Sequence, residues 1–172
     1  MKELRVLREK ATVVLERWRK LDLRRWWAVR MAPKLHKPFK GAHRGDSWTT
    51  EEIGKIGEDL AAAWLAINGR KILKRNHKAA HGGEVDIVCR ELDALCFVEV
   101  KTRTKVGWHR PADAVNKDKQ KLIQRGARDW LKHLRRTDVG WRYDIMEVVL
   151  EDGQLPRMNC VVDAFKDSSA NR

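Results

Sequence analysis

Two apolar segments of this 172-residue chain carry acids and a lysine at alternating positions. The first contains Glu84 and Asp86 among Gly, Val and Ile residues, and the second contains Glu99 and Lys101 among Phe and Val residues. Val, Ile and Phe favour a pleated, buried strand, where a carboxylate without a partner or a metal is costly. These four side chains are therefore the first candidates for chemistry.

The spacing predicts that the two segments pair as a β-hairpin. The connecting residues, Arg90–Leu95, are short and polar enough for a turn, although the favoured Asn-Gly and Asp-Gly pairs are absent. A turn centred on Leu92 and Asp93 puts the four charged side chains on one face, with directly opposed Cβ atoms roughly 5 Å apart. The prediction depends on this register, because a slip of one residue would break the arrangement. The opposed pairs would be Asp86 with Glu99 and Glu84 with Lys101.

Such a cluster suits a hard divalent cation, because Mg²⁺ and Mn²⁺ prefer carboxylate and carbonyl oxygens and keep several waters. Asp86 and Glu99 would be ligands, and the backbone carbonyl of Val100 could supply a further oxygen. Lys101 could position or deprotonate an attacking water and stabilise charge on a phosphorus centre. These parts suit phosphodiester hydrolysis. The alternative is a pair of cross-strand salt bridges, Glu84 with Lys101 and Asp86 with an arginine.

The residues around the hairpin extend the pattern to most of the chain. Asp86 followed by Glu99-Val100-Lys101 resembles the PD-(D/E)XK signature of restriction-endonuclease-like nucleases. The wider set, roughly from residue 50 to residue 166, resembles the YraN family. Its positions here are Gly54, Gly57, Glu58, Ala61, Leu65, Gly69, Asn76, Gly83–Asp86, Phe97–Arg103, Gly107, Pro111, Ala114, Val115, Lys119, Arg142–Asp144, Ala164 and Phe165.

This resemblance implies a fold similar to that of Holliday junction resolvases, and a DNA endonuclease-like activity in a family whose members are generally described as uncharacterised. It implies that Glu58, on the first helix, reaches toward the metal as an auxiliary ligand. Lys119 and Gln120 match a position where related nucleases carry a helical residue near the scissile phosphate. The core of the motif would be Asp86, Glu99 and Lys101, with Glu84 beside it.

Charge is spread unevenly along the chain. Residues 1–45 hold fourteen Lys or Arg against four acids, so this segment supplies +10 of the net charge of +13. With a sequence pI near 10.0, the natural partner is anionic, and nucleic acid, DNA above all, is the expected one. We expect a basic extension with a linker over 1–45, a nuclease domain over 46–167 and a frayed tail over 168–172.

The N-terminal extension has the pattern of an amphipathic helix from about residue 2 to residue 29. Trp26 and Trp27 stand among arginines, which suits stacking on bases or lying at a membrane interface. A helix that packs on the core or on a second copy, with a solvated basic face, is the plainer alternative. The apolar stripe consists of Leu4, Leu7, Ala11, Val14, Trp18 and Leu21.

The sequence shows neither a signal peptide nor an apolar run of membrane-spanning length, so no membrane partner is expected and the cytoplasm is the expected compartment. Its three cysteines, at no metal-binding spacing, indicate reduced thiols, with Cys89 opposite Cys96 on the face away from the acids. Paired cuts at a junction would call for a homodimer.

Several elements must position the candidate residues. Thr49 and Glu52 have the spacing of a capping box, and apolar residues from Ile53 to Ile67 predict the first helix. A short strand at Ile72–Leu73, continued by a polar loop or strand end through His81, precedes the hairpin. A helix over 114–135 with a basic outer face, a strand over 142–150 and a last strand over 159–165 follow.

Between the hairpin and the second helix runs a basic segment that contains Arg103 and Lys105. Beside a catalytic site it could hold phosphates, and otherwise it is an ordinary solvated loop. The basic outer face of the second helix is of the kind that is usually solvated. The element order predicts a restriction-endonuclease-like α/β/α sandwich with a mixed central sheet, plus the basic helical extension.

Three hypotheses follow for the function. The first is a Mg²⁺- or Mn²⁺-dependent endonuclease that acts on DNA, at branched or otherwise distorted sites. The second is a nucleic-acid-binding protein that keeps the fold without meaningful cleavage. The third is an interaction protein whose N-terminal helix recruits another chain.

Overall fold

The computed structural model describes residues 32–43, 46–104, 115–134 and 139–167. The predicted N-terminal helix over 2–29, Lys105 and the tail from residue 168 lie outside the described residues. The elements are β1 (Ala42–His43), β2 (Asp46–Ser47), α1 (Thr50–Ile67), β3 (Lys71–Ala79), β4 (Gly83–Glu91), β5 (Ala94–Arg103), α2 (Lys117–His133), β6 (Trp141–Val149) and β7 (Arg157–Phe165).

Five strands form one mixed sheet in the order β3-β4-β5-β6-β7. Neighbours are antiparallel except β5 and β6, which run parallel because α2 carries the chain between them. α1 packs on one face, where Leu60 and Leu65 meet Ile87 and Val98. α2 packs on the other, where Ile123 lies in one cluster with Phe97. The predicted α/β/α sandwich with a mixed sheet is confirmed.

The start of α1 follows the sequence closely. Thr49 is the N-cap, its hydroxyl accepts from the Glu52 backbone N–H at 3.2 Å, and the Glu52 carboxylate accepts from the Thr49 N–H at 2.9 Å. The predicted capping box is therefore confirmed. The apolar residues from Ile53 to Ile67 are predicted to face the core, and this is wrong for the last of them, because Ile67 is exposed.

The capping box allows a first prediction. Thr49→Ala should lower the free energy of unfolding by about 1 kcal/mol, because the Glu52 N–H loses its acceptor. Urea denaturation would measure this loss. Thr50→Ala, one residue further on, keeps both bonds and serves as the control, so an equal loss in the two variants would contradict the capping role.

Two element predictions need correction. β3 runs from Lys71 to Ala79 and is longer than the predicted pair of strand residues at Ile72–Leu73. It is an edge strand, so polar side chains can alternate outward along it without breaking the ladder. α2 begins at Lys117, later than predicted, because the Asn116 side chain caps it by accepting from the Lys119 N–H at 2.9 Å.

Part of the segment predicted as a linker is held against the core. Leu35 and Phe39 pack on the α1 side of the sheet, and the Phe39 N–H donates to the Gln154 carbonyl at 2.8 Å. The Phe39 carbonyl in turn accepts from the Gly153 N–H at 2.8 Å. These bonds join the chain before β1 to the turn between β6 and β7.

A buried ionic network stabilises β6 close to the three cysteines, which are free thiols. Arg70 donates to Asp144 at 2.8 Å, and the two side chains are 6% and 0% exposed. Arg142 donates to the other carboxylate oxygen of Asp144 at 2.9 Å, and the Asp163 N–H donates to it as well. Burial at this depth is tolerated because the Asp144 carboxylate has a partner on each oxygen.

Candidate active site

The predicted hairpin register is confirmed up to the candidate residues. β4 and β5 pair from Glu91↔Ala94 to Ile87↔Val98, with Cys89 opposite Cys96. The pairing ends there, so the two pairs predicted beyond it, Asp86 with Glu99 and Glu84 with Lys101, are not part of the ladder. The strands separate at the point where the acids begin.

The Asp86 side chain forms a hydrogen bond where the backbone pairing of β4 and β5 has ended. Its Oδ2 accepts a hydrogen bond from the Val100 N–H at 2.7 Å. In an extended strand the N–H and C=O of one residue point to the same edge, so the Val100 carbonyl also faces β4. Asn76 lies across from Asp86 on β3 with a φ of 51°, a left-handed conformation that Asn tolerates better than most residues.

Glu99 is the most deeply buried acid of the cluster, with 2% of its surface exposed. Its Oε1 accepts from the Lys101 ammonium at 2.9 Å and lies 3.3 Å from that of Lys119. Its Oε2 is buried and has no hydrogen-bond partner in the described part of the chain. One carboxylate oxygen is thus neutralised, and the other is unsatisfied.

Lys119 brings α2 into the cluster. Its ammonium donates to Glu84 and also faces Glu99, so it bridges two of the acids. Burial opposes the charged form of Lys119, yet the hydrogen bond to Glu84 and the nearby Glu99 and Asp86 carboxylates outweigh it and raise its pKa. The hydrogen bond from Lys119 lowers the pKa of Glu84, with smaller help from Lys78 and Lys101.

Asp86 is the group whose pKa is most perturbed toward neutral pH. Burial, and then repulsion from Glu99, raise the pKa of Asp86 to about 7, against the opposing effects of the Val100 N–H and Lys119. Glu58 adds to the repulsion, which places its charge near Asp86. Two carboxylates are thus held close in a poorly solvated site, where a cation would stabilise them both.

Glu58 reaches the cluster from α1 because the preceding residue allows close packing. A Cβ on Gly57 would lie 1.8 Å from Thr102 Oγ1, so only glycine lets α1 approach β5 this closely. Glu58 lines a pocket of about 310 Å³ together with Val100 and Arg103. The pocket lies on the α1 side of the sheet, and Asp86, Glu99 and Lys101 do not line it.

The remaining sequence-predicted residues lie in different places. Arg103 lines the pocket, and its guanidinium is 3.9 Å from Glu147. The Gln120 side chain donates to the Val115 carbonyl at 2.9 Å, so it holds the start of α2. Lys105 falls in the stretch from residue 105 to residue 114, outside the described residues. Neither cross-strand salt bridge of the plainer alternative forms among the residues that the structure describes.

Comparison with known proteins places the chain in a family. The model of the uncharacterised protein family UPF0102 matches residues 57–148, which include every acid and lysine of the cluster. The chain belongs to the UPF0102 family. The resemblance to YraN proteins noted in the sequence is thereby confirmed.

Similar UPF0102 proteins occur in distant bacteria. A relative from Rhodococcus opacus is 41% identical over 113 residues, which cover 66% of this chain and 95% of that protein. One from Anaeromyxobacter dehalogenans is 38% identical over 125 residues, covering 73% and 92% respectively. One from Geobacter sulfurreducens is 40% identical over 114 residues, covering 66% and 88%.

The residues of this UPF0102 site fit a hard divalent cation that completes its shell with water. Among the described residues, no three His, Cys, Asp or Glu side chains converge closely enough to hold a metal alone. Mg²⁺ is commonly held by one or two carboxylates with several waters, so a larger set is not required. The oxygens that could hold such an ion are the unsatisfied Oε2 of Glu99, the Asp86 carboxylate and the Val100 carbonyl.

Two features of the UPF0102 site escape local sequence patterns. Lys119 was expected only as a nucleic-acid contact, yet it forms ion pairs with acids that are distant along the chain. The spacing of residue types along the sequence also gives no indication that β4 separates from β5 at Asp86. For Lys119, the resemblance to a family is the one sequence observation that singled out the position.

Proposed function

We propose that this UPF0102 chain is a metal-dependent endonuclease that hydrolyses phosphodiester bonds of DNA, at branched or distorted sites. The observation that carries the proposal is the pair of acids at the end of the β4–β5 ladder, the half-buried Asp86 and the buried Glu99. Asp86 and Glu99 are held together there although their charges repel, and one Glu99 oxygen has no partner among the described residues. An arrangement that raises pKa values in a cleft is typical of functional sites.

Asp86, Glu99 and the Val100 carbonyl would hold a Mg²⁺ or Mn²⁺ ion, with Glu58 as an auxiliary ligand. When bound, the ion would polarise the scissile phosphate and acidify a bound water. Glu84 takes no ligand role, because its carboxylate is committed to Lys119. Lys119 keeps Glu84 and Glu99 from repelling each other and so fixes the direction of the Glu99 side chain.

Lys101 is the group that acts on the reacting atoms. Its side chain is 29% exposed and is anchored to Glu99 Oε1, so it projects to the edge of the cluster that solvent and substrate can reach. There it orients the attacking water and stabilises the negative charge that builds on the phosphate oxygens. The water oxygen bonds to phosphorus, one P–O ester bond breaks, and a proton passes to the departing alkoxide.

A nucleic-acid-binding protein without cleavage is the second candidate. Lys101 and Lys119 already form ion pairs with Glu99 and Glu84. Such pairs can serve stability alone, and the carboxylates then need no metal. Both candidate functions involve nucleic acid, and we propose that the protein is located in the cytoplasm. Neither α1 nor α2 combines the length and apolar character that a membrane-spanning helix requires.

A cleavage panel tests the proposal. The full chain is incubated with duplex, single-stranded, flap and four-way-junction DNA in Mg²⁺, in Mn²⁺ and in EDTA. We expect metal-dependent products on at least one substrate, and a fall in rate of roughly 100-fold or more in Asp86→Ala and Lys101→Ala. Paired cuts in one junction would indicate a homodimer.

The control variant is Arg90→Ala, which removes an exposed charge at the far end of β4 and should cut at the wild-type rate. Equal rates in Asp86→Ala and the wild type would identify a contaminating nuclease and reject the proposal. Salt-dependent binding without products under any metal would favour the second candidate.

A further inference from the structure

Positive charge in the described part of the chain is concentrated on α2. The helix contains six Lys or Arg and two Asp, a net charge of +4 over seventeen residues. The remaining described residues hold fifteen Lys or Arg against sixteen Asp or Glu, a net charge of −1. The unit formed by the described residues is therefore close to neutral apart from this helix.

Five of these cations form one continuous line, here called the α2 stripe. They follow one another at intervals of four, four, three and four residues, which keeps them on one face of an α-helix. All five are exposed. At 1.5 Å per residue the line is about 22 Å long, or about six base-pair steps of duplex. The members are Lys117, Lys121, Arg125, Arg128 and Lys132.

The α2 stripe borders a concave surface. A cavity of about 490 Å³ is lined by Lys121, Arg125 and Arg128, with the buried Gln124 at its base. Two of the cations have acidic partners. Lys121 contacts the exposed Asp118 at 2.9 Å, and Arg128 lies 3.6 Å from Asp167, whose side chain is 4% exposed. The exposed Lys121 pair contributes little, so an incoming phosphate can replace it at small cost.

The α2 stripe lies on the outer face of α2, away from the candidate active site. Lys119, two residues after Lys117, is about 200° further round the helix and turns its ammonium to Glu84 and Glu99. A nucleic acid with one phosphate at the acids would therefore meet the stripe with a second segment. The spacing of the cations along α2 matches an extended polyanion better than a single small anion.

We propose that the α2 stripe binds the sugar-phosphate backbone of a second segment of the nucleic acid whose cleavage site lies at Asp86 and Glu99, and so helps to hold the substrate outside the bond that is cut. This deepens the proposed function and rests on it. An anionic membrane is the weaker fit, because a surface-binding helix needs a large apolar face beside its cations. The large exposed apolar residues of the described chain are Ile67, Leu92, Trp141, Leu155 and Val162, none of them on α2.

The test compares two triple variants of the full chain that remove the same charge. One neutralises the stripe with Lys121→Gln, Arg125→Gln and Lys132→Gln. The matched control is Lys74→Gln, Arg90→Gln and Arg157→Gln, three exposed cations outside α2 and outside the basic N-terminal extension. Binding to junction and duplex DNA is measured in EDTA over a range of salt concentrations, and cleavage is measured in Mn²⁺.

In the stripe variant, we expect the negative slope of log K against log salt to become shallower by about 2 to 3, because three phosphate contacts are lost. In the control it should become shallower by less than about one, since its three cations lie away from the stripe. A cleaving enzyme should also need a higher DNA concentration for half-maximal rate in the stripe variant, with the maximal rate nearly unchanged.

The outcomes separate the two proposals. A changed slope without cleavage by any variant supports the stripe and rejects the nuclease. Cleavage with equal slopes and equal substrate affinity in both triple variants supports the nuclease and rejects the stripe. If the stripe variant loses binding to vesicles of phosphatidylcholine and phosphatidylserine while its DNA binding is unchanged, the stripe binds a membrane and the proposal is overturned.

Discussion

Replacing Asp86 with asparagine should make the metal-free protein more stable at pH 8 and leave it nearly unchanged at pH 3, below both pKa values of this carboxyl. Burial and repulsion from Glu99 raise the pKa of Asp86 from 3.8 to about 7. The unfolded chain therefore releases this proton about three pH units before the folded chain does. Between these two pKa values the folded state binds more protons, so stability falls as the pH rises.

The size of the effect follows from the same shift. A difference of about three pKa units corresponds to a penalty of up to about 4 kcal/mol once Asp86 is charged in both states. The substituted asparagine would carry no charge, and its amide oxygen can still accept from the Val100 N–H. We expect the melting temperature to rise by up to roughly 8 to 16 °C at pH 8, since 1 kcal/mol moves it by about 2 to 4 °C in a chain of this size.

Metal should narrow the difference in stability between the two proteins. Mg²⁺ or Mn²⁺ that binds only the folded wild type stabilises it by mass action, whereas Asp86→Asn lacks a ligand and should not respond. Calorimetric melts at pH 3 and pH 8, with and without metal, measure both effects. An Asp86→Asn variant that melts below the wild type at pH 8 without metal would contradict the argument.

Glu84→Gln is the matched control because its shift has the opposite sign. The hydrogen bond from Lys119 lowers the pKa of Glu84, so this group stabilises the fold above its unfolded pKa and the effect is lost in acid. Glu84→Gln should therefore reduce stability at pH 8, by a small amount because its side chain is 44% exposed. Opposite signs in two neighbouring carboxylates would exclude a general effect of removing charge.

The hairpin could be predicted because its information is local. A turn at Leu92 and alternation along two short segments were enough to fix the register, and Leu92 indeed takes a φ of 51° in the turn. The point at which pairing stops could not be predicted in this way. It depends on the Val100 N–H, which donates to the Asp86 carboxylate and not to a backbone carbonyl of β4.

Contacts made by distant elements were the harder part of the site. Lys119 lies on a helix whose cations look alike in sequence, and only packing distinguishes it from the exposed members of the α2 stripe. That packing depends on two glycines, because a Cβ on Gly83 would lie 2.5 Å from the Gly126 nitrogen. Where α2 crosses β4 at this distance, Lys119 is brought over the acids.

The length of β3 shows a different limit. Its alternating Lys, Asn and His residues resemble a polar loop when judged by hydrophobicity alone, although they form a nine-residue strand. An edge strand has one neighbour, so half of its backbone and many of its side chains face water. Sequence patterns that identify buried strands therefore fail for β3, the edge strand that pairs with β4 of the candidate site.

Gly57→Ala should destabilise the fold and weaken the site together. A Cβ at residue 57 would lie 1.8 Å from Thr102 Oγ1 and 2.8 Å from the Thr102 Cβ, far inside van der Waals contact. Because Thr102 lies on β5 in the interior of the sandwich, α1 must move outward. We expect a loss of roughly 2 to 4 kcal/mol in the free energy of unfolding, measured by urea denaturation.

Gly54→Ala on the same helix is the matched control, since nothing lies within 4 Å of a Cβ there. It should raise stability by up to about 1 kcal/mol, the usual gain of alanine over glycine inside a helix. A second measurement links the packing to the chemistry. Gly57 precedes Glu58, so an outward shift of α1 withdraws that carboxylate and should weaken Mn²⁺ binding in Gly57→Ala but not in Gly54→Ala. Equal stability in the two variants would show that α1 can adjust without cost, and Glu58 would then lose its argued position beside Asp86.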